Sequence, residues 1–116
     1  MKYLCLVYIE EKKLADLSDR EMDVLVKESL AYDKVLRKSG HYIVSNALQS
    51  VRFAATVRTR DGKAFITDCP FAETKEQLGG FILIEARDLN EAIQVASKMP
   101  PGRLGCIEVR PTMELS

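Results

Sequence analysis

The chain has 116 residues, 47% of them hydrophobic and 29% charged, the composition of one ordinary globular domain and not of a disordered or membrane-embedded chain. Its 17 Lys and Arg balance 17 Asp and Glu, so no overall positive field exists to draw in a polyanion, and nucleic acid is not an expected partner. The longest apolar run, residues 3–9, is too short for a membrane span and is followed by no small-residue cleavage site, which predicts a cytoplasmic protein with no membrane partner.

Residues 3–9 (Tyr-Leu-Cys-Leu-Val-Tyr-Ile) are apolar at every position, which suits a central strand covered on both faces. Ser18 with Glu21 reads as a capping box, and Gly40 as the stop, of a helix over 19–39. At 100° per residue, Met22, Leu25, Val26, Leu30, Tyr32 and Leu36 form one stripe, and Ser29 and Asp33 fall inside it. A carboxylate in an apolar stripe needs a partner or a cleft.

Residues 53–60, the pair Asp61-Gly62 and residues 63–68 predict a hairpin, because Asp-Gly supplies the positive φ of a tight turn. Thr74 to Gln77 could form one helical turn stopped by Gly79-Gly80, ahead of a second doubly apolar strand at 81–84. Asp88 and Glu91 repeat the capping logic for a helix carrying Leu89, Ala92, Ile93 and Ala96 on one face and closed by Pro100-Pro101-Gly102. The last strand spans 105–110. This order predicts an α+β fold, a ferredoxin-like split βαβ with an extra hairpin strand and both helices on one face of the sheet. The other face is also apolar, and a second copy of the chain is the simplest cover, which predicts a homodimer.

Cys5, Cys69 and Cys106 form no CxxC or Cys/His cluster; free thiols are expected, with no metal site and no cofactor. Asp68, Glu73, Lys75 and Glu76 crowd around Pro70 on a loop leaving a strand, where sites are often built. Either they cap a turn and pair with neighbouring cations, or Asp68 and Glu76 face a cleft as catalytic acid/base groups or ligand anchors. Arg58 and Arg60 share one strand face, and Glu108 and Arg110 another; they form ion pairs or line a polar wall suited to an anionic or carbonyl-bearing ligand. His41, the single histidine, is expected in a surface loop.

The run Thr67-Asp68-Cys69-Pro70-Phe71-Ala72-Glu73-Thr74-Lys75-Glu76, followed by Leu78-Gly79-Gly80-Phe81, resembles the signature of the DGPF-domain proteins of the YCII-related family, with Cys69 where that family has Gly. The opening Met1-Lys2-Tyr3, the Thr56-Val57-Arg58 and Asp61-Gly62 hairpin, and Glu108-Val109-Arg110-Pro111 extend the likeness over nearly all of residues 1–116, read as a single domain. The resemblance implies a dimeric α+β barrel with a ligand-sized cleft. Related proteins are thought to use a His-Asp pair, and no early histidine matches it here. The expectation is a homodimer binding a small molecule in a cleft lined by Arg58, Asp68, Phe71, Glu76 and Arg110, capable of metal-free acid/base chemistry such as isomerisation or elimination. The alternative is a non-catalytic accessory or regulatory module that binds a peptide or partner protein.

Overall fold

In the computed structural model, which describes residues 1–115, strand β1 (Lys2–Ile9) turns Tyr3, Cys5 and Val7 inward, where all three are buried. The long helix begins after a short α1 (Glu11–Ala15) and forms α2 (Asp19–Ser39). Its capping box is complete: the Ser18 hydroxyl accepts from the Glu21 backbone N–H, and the Glu21 carboxylate accepts from the Ser18 N–H. Gly40, at φ 83°, closes it, a conformation that costs glycine nothing.

The chain then forms β2 (Tyr42–Ala47), a hairpin of β3 (Thr56–Arg60) and β4 (Lys63–Thr67), and β5 (Gln77–Glu85). After α3 (Leu89–Ser97) and a 3-10 turn over Pro100–Leu104, β6 (Gly105–Pro111) ends the fold. The main sheet has the order β2-β5-β1-β6, antiparallel throughout. This is the βαββαβ ferredoxin-like sheet, and the α+β class read from the sequence holds.

The core lies on one face, where Tyr3, Cys5 and Ile84 meet Leu36 of α2, Ala92, Val95 and Ala96 of α3, and Met99. Burial in this apolar core pushes the Cys5 thiol up to about 11. No helix packs on the opposite face among the described residues, and there Leu4 and Leu6 pair across the strands with Leu83 and Phe81.

Four details depart from the sequence reading. The second strand of the sheet is β2, which carries Ser45 and Asn46 among its apolar residues and was not anticipated. The 53–68 hairpin is a separate two-stranded ribbon and not an extra strand of the main sheet; its turn has the expected positive φ at Asp61 and Gly62. Gly79-Gly80 stops no helix. It lies within β5, where the Ile9 side chain fills the place of a Gly79 Cβ at 2.8 Å and the register slips between Val7 and Tyr8, so the pair permits a bulge and a close strand approach. On α3 the buried face is Ala92, Val95 and Ala96, leaving Leu89 and Ile93 about half exposed, because the small alanines let the helix sit close to the sheet.

These placements separate two isoleucines of equal chemistry. Ile84 has no exposed surface, so Ile84→Ala is expected to cost about 2–5 kcal/mol through lost burial and a cavity. Ile93 is 48% exposed, and Ile93→Ala should shift the urea midpoint far less. Equal shifts in denaturant unfolding would contradict the assignment of α3's inner face.

Candidate functional site

Helix α2 is fastened near its C-terminal end. Leu36 is its one fully buried residue among those described, the Arg37 guanidinium stacks 4.3 Å from the Tyr42 ring centroid, and the Tyr32 hydroxyl donates to the Val95 carbonyl at 2.6 Å. Earlier in the helix Met22, Leu25 and Ser29 are only half-buried. Between them and the sheet lies a cleft of about 470 Å³, bounded by Val7, Ile9 and Ile82 of the sheet, by Gly79-Gly80, and by Leu48, Met99 and Leu104 at its ends. That volume suits a small organic ligand.

The cleft wall is mostly apolar, and its polar groups are mostly engaged. Ser29 donates to the Leu25 carbonyl at 2.8 Å, Tyr32 is spent on Val95, and Ser45 bonds the Tyr42 hydroxyl at 2.7 Å. Asp33 and the exposed Asn46 are the exceptions, and Asp33 is the ionisable one. It lines the cleft, is half-buried, and takes part in no hydrogen bond or ion pair of the described residues. Desolvation raises its pKa, and the charge of Arg37 one turn further on offsets part of the rise. The sequence held the signal, a carboxylate inside an apolar stripe; the cleft, and not a hydroxyl or arginine partner, is what answers it.

The five residues expected to form a ligand site fall on several elements of the chain. Arg58 is on the exposed hairpin, and Asp68 and Phe71 are exposed on the loop that follows it. That loop is tied to the hairpin base by the Thr56 hydroxyl, which donates to the Cys69 carbonyl at 2.6 Å. Arg110 is exposed on β6, paired with Glu108. Glu76 sits in a separate hollow of about 580 Å³ with Tyr8, Lys13, Lys75 and Cys106, where the Cys106 thiol approaches its carboxylate at 3.7 Å. Partial desolvation and the charges of Glu76 and Glu108 raise the Cys106 pKa, so this thiol is not primed as a nucleophile.

His41 is not a free loop residue. It is half-buried, with Nε2 at 3.0 Å from Glu91 and Nδ1 at 2.6 Å from Ser39. The three cysteines are unpaired, and among the described residues no three His, Cys, Asp or Glu side chains converge as metal ligands would. No helix of the described residues is long and apolar enough to cross a membrane.

Fold and site together define a small α+β protein with an apolar cleft between its long helix and its sheet, opened on by a single desolvated carboxylate. The chain belongs to the YCII-related family, whose signature matches residues 1–116. It is 34% identical over 113 residues to an uncharacterized protein of Rhizobium meliloti (strain 1021), covering 96% of this chain and 91% of that one. Among solved structures it resembles the 5-chloro-2-hydroxyhydroquinone dehydrochlorinase of Burkholderia phenoliruptrix AC1100, in complex with 2,5-dihydroxybenzoquinone. The TM-score is 0.54 at 18% identity, over 97% of this chain and 94% of that one. This likeness is one of fold.

The desolvation of Asp33 has a signed consequence. A carboxyl whose folded pKa lies above its unfolded value holds its proton more tightly in the native state, so ionisation destabilises the fold as pH rises from about 4. Asp33→Asn removes that penalty. Thermal melts should show the variant equal to the wild type below about pH 4 and equal or more stable at pH 7; a variant less stable at pH 7 would mean that Asp33 has a stabilising partner.

Proposed function

We propose that the protein is a homodimer that binds a small, largely apolar, hydroxyl-bearing molecule in the α2 cleft and acts on it by proton transfer through Asp33. The observation that carries the proposal is the unpartnered Asp33 carboxylate, with its raised pKa, facing an apolar cleft of ligand size. Desolvation moves a carboxyl toward the pH at which it can both take and return a proton, the condition for general acid/base work.

A lone carboxylate with no second acid or base beside it suits two reaction types. In isomerisation the same group removes a proton from one atom and returns it to another. In elimination of a halide the departing anion needs no proton, so a base alone suffices. The dehydrochlorinase of like fold carries out chemistry of the second type on a hydroquinone, which makes chlorinated and unchlorinated hydroquinones the natural first probes. Homodimer formation is supported by the uncovered sheet face around Leu4, Leu6, Phe81 and Leu83, since monomers seldom leave an apolar sheet face of this kind open.

The signature loop supplies a second reading, favoured by the hollow that holds Glu76 beside Lys13, Lys75 and Cys106. Lys13 is paired there with Glu10 at 3.4 Å, so the ligand would be polar and anchored by Lys75 and Glu76. Titration calorimetry with a hydroquinone panel, together with assay of chloride release, separates the two. Asp33→Asn is expected to weaken binding by roughly 10- to 150-fold, the loss of one hydrogen bond to a charged group, and to abolish any turnover, while Asp68→Asn and Glu76→Gln behave as wild type. Loss in Glu76→Gln with full retention in Asp33→Asn would move the site to the Cys106 hollow.

A further inference from the structure

The β3–β4 hairpin stands out from the body as an arm. The radius of gyration is 16.0 Å, against about 13 Å expected for a compact chain of this length, and the molecule measures 46 × 46 × 18 Å. Nearly every residue of the two strands is exposed, and the strands pair only with each other. An isolated two-stranded ribbon is marginal in water and needs a surface to pack on.

The pairing register divides the arm into two unlike faces. Val57 lies opposite Ile66 and Thr59 opposite Ala64, an uncharged face; Arg58 lies opposite Phe65 and Arg60 opposite Lys63, a cationic one. From Ser50 to Thr67 four cations, Arg52 included, meet the single acid Asp61, a net of +3. Since the whole chain is neutral, its body carries the matching −3. The arm and its flanks also expose Phe53, Phe65 and Phe71 by 53–79% each. At 150–250 Å² per aromatic side chain these represent roughly 300–500 Å² of apolar surface. With Val57, Ile66 and the uncovered sheet face added, the total reaches the range of about 800 Å² per partner that a stable interface buries.

We infer that the arm is exchanged: the β3–β4 hairpin of one copy packs on the body of a second copy of the same chain, and the second copy's arm packs back. A second copy meets both needs at once, with a body of net −3 against the arm's +3 and an apolar, partly exposed sheet face that no helix covers. The root is already fixed for reaching outward, because the Glu11 carboxylate of α1 accepts from the Ser50 hydroxyl at 2.6 Å and from the Val51 N–H at 3.2 Å. The inference rests on the dimer proposed above for the identity of the partner and is independent of the ligand.

Sedimentation and hydrogen-exchange mass spectrometry of residues 56–67, over dilution from about 100 to 1 μM, test it. The expected result is a dimer whose arm amides are protected at high concentration and exchange at least about tenfold faster as it dissociates. The double variant Val57→Asp with Ile66→Asp should be a monomer with unchanged far-UV circular dichroism, since both side chains are exposed in the single chain. Arg58→Glu with Arg60→Glu should weaken dimerisation at least about tenfold. A dimer that keeps its mass and its arm protection in both variants would overturn the arm contact alone. Wild-type protein that is monomeric throughout, with arm amides protected only on adding anionic phospholipid vesicles, would overturn the pairing as well.

Discussion

α2 is held by Leu36 in the core, by the Tyr32 hydroxyl donating to Val95 of α3 and by the Arg37 stack on Tyr42 of β2, all in its C-terminal half, with the exposed Glu28–Arg103 ion pair at mid-helix, while its apolar residues from Met22 to Leu30 border a cleft. The cleft follows from where those contacts fall along the helix. A helix packed evenly along its length would bury Met22 and Leu25 as fully as Leu36 and leave no cavity. Asp33 sits beside the anchored end, one turn before Arg37, so its backbone position is set by that packing while its carboxylate keeps access to the cleft. The desolvation that raises its pKa and the volume that admits a ligand therefore share one cause.

The sheet imposes a second constraint. β1 is flanked by β5 and β6 and offers apolar side chains on both sides, Tyr3, Cys5 and Val7 inward and Leu4 and Leu6 outward. The helices cover only the inward set. The arm compounds this imbalance, because it carries apolar groups on both of its own faces and is inserted between β2 and β5, at the end of the same sheet. Its charge is as uneven as its hydrophobicity. A chain with no net charge thus divides into a projection of net +3 and a body of net −3.

Polar groups outside the cleft are largely committed to holding the fold. Ser18 and Glu21 cap α2, and Asp88 accepts from the Glu91 N–H to cap α3. Glu91 in turn accepts from the Arg87 backbone N–H, which with His41 lowers its pKa, and so couples the end of α2 to the start of α3. Gln77 donates to the Ala72 and Thr74 carbonyls at 3.2 Å each, which satisfies the signature loop locally without a helical turn. Against that background the unpartnered Asp33 stands apart.

Local chemistry was sufficient to determine the elements whose cause lies within a few residues. Ser18 with Glu21, Asp61-Gly62 and Asp88 with Glu91 each act over three positions or fewer, and the short all-apolar runs at 3–9 and 81–84 suit strands covered on both faces. Asp33 was likewise legible as an anomaly in the α2 stripe, and the signature around Pro70 as a family resemblance. The sequence could not show that β2, with Ser45 and Asn46, would be stabilised by pairing along β5, nor that Gly79-Gly80 would join a strand so that Ile9 could occupy the space of a missing Cβ. Nor could it show that the hairpin bearing Arg58 would form a ribbon separate from the main sheet, with Asp68 and Phe71 exposed on the loop that follows it. Those outcomes depend on contacts between residues far apart in the chain, and only the tertiary structure decided them, because strand pairing and helix standoff are set by what the rest of the chain places opposite each residue.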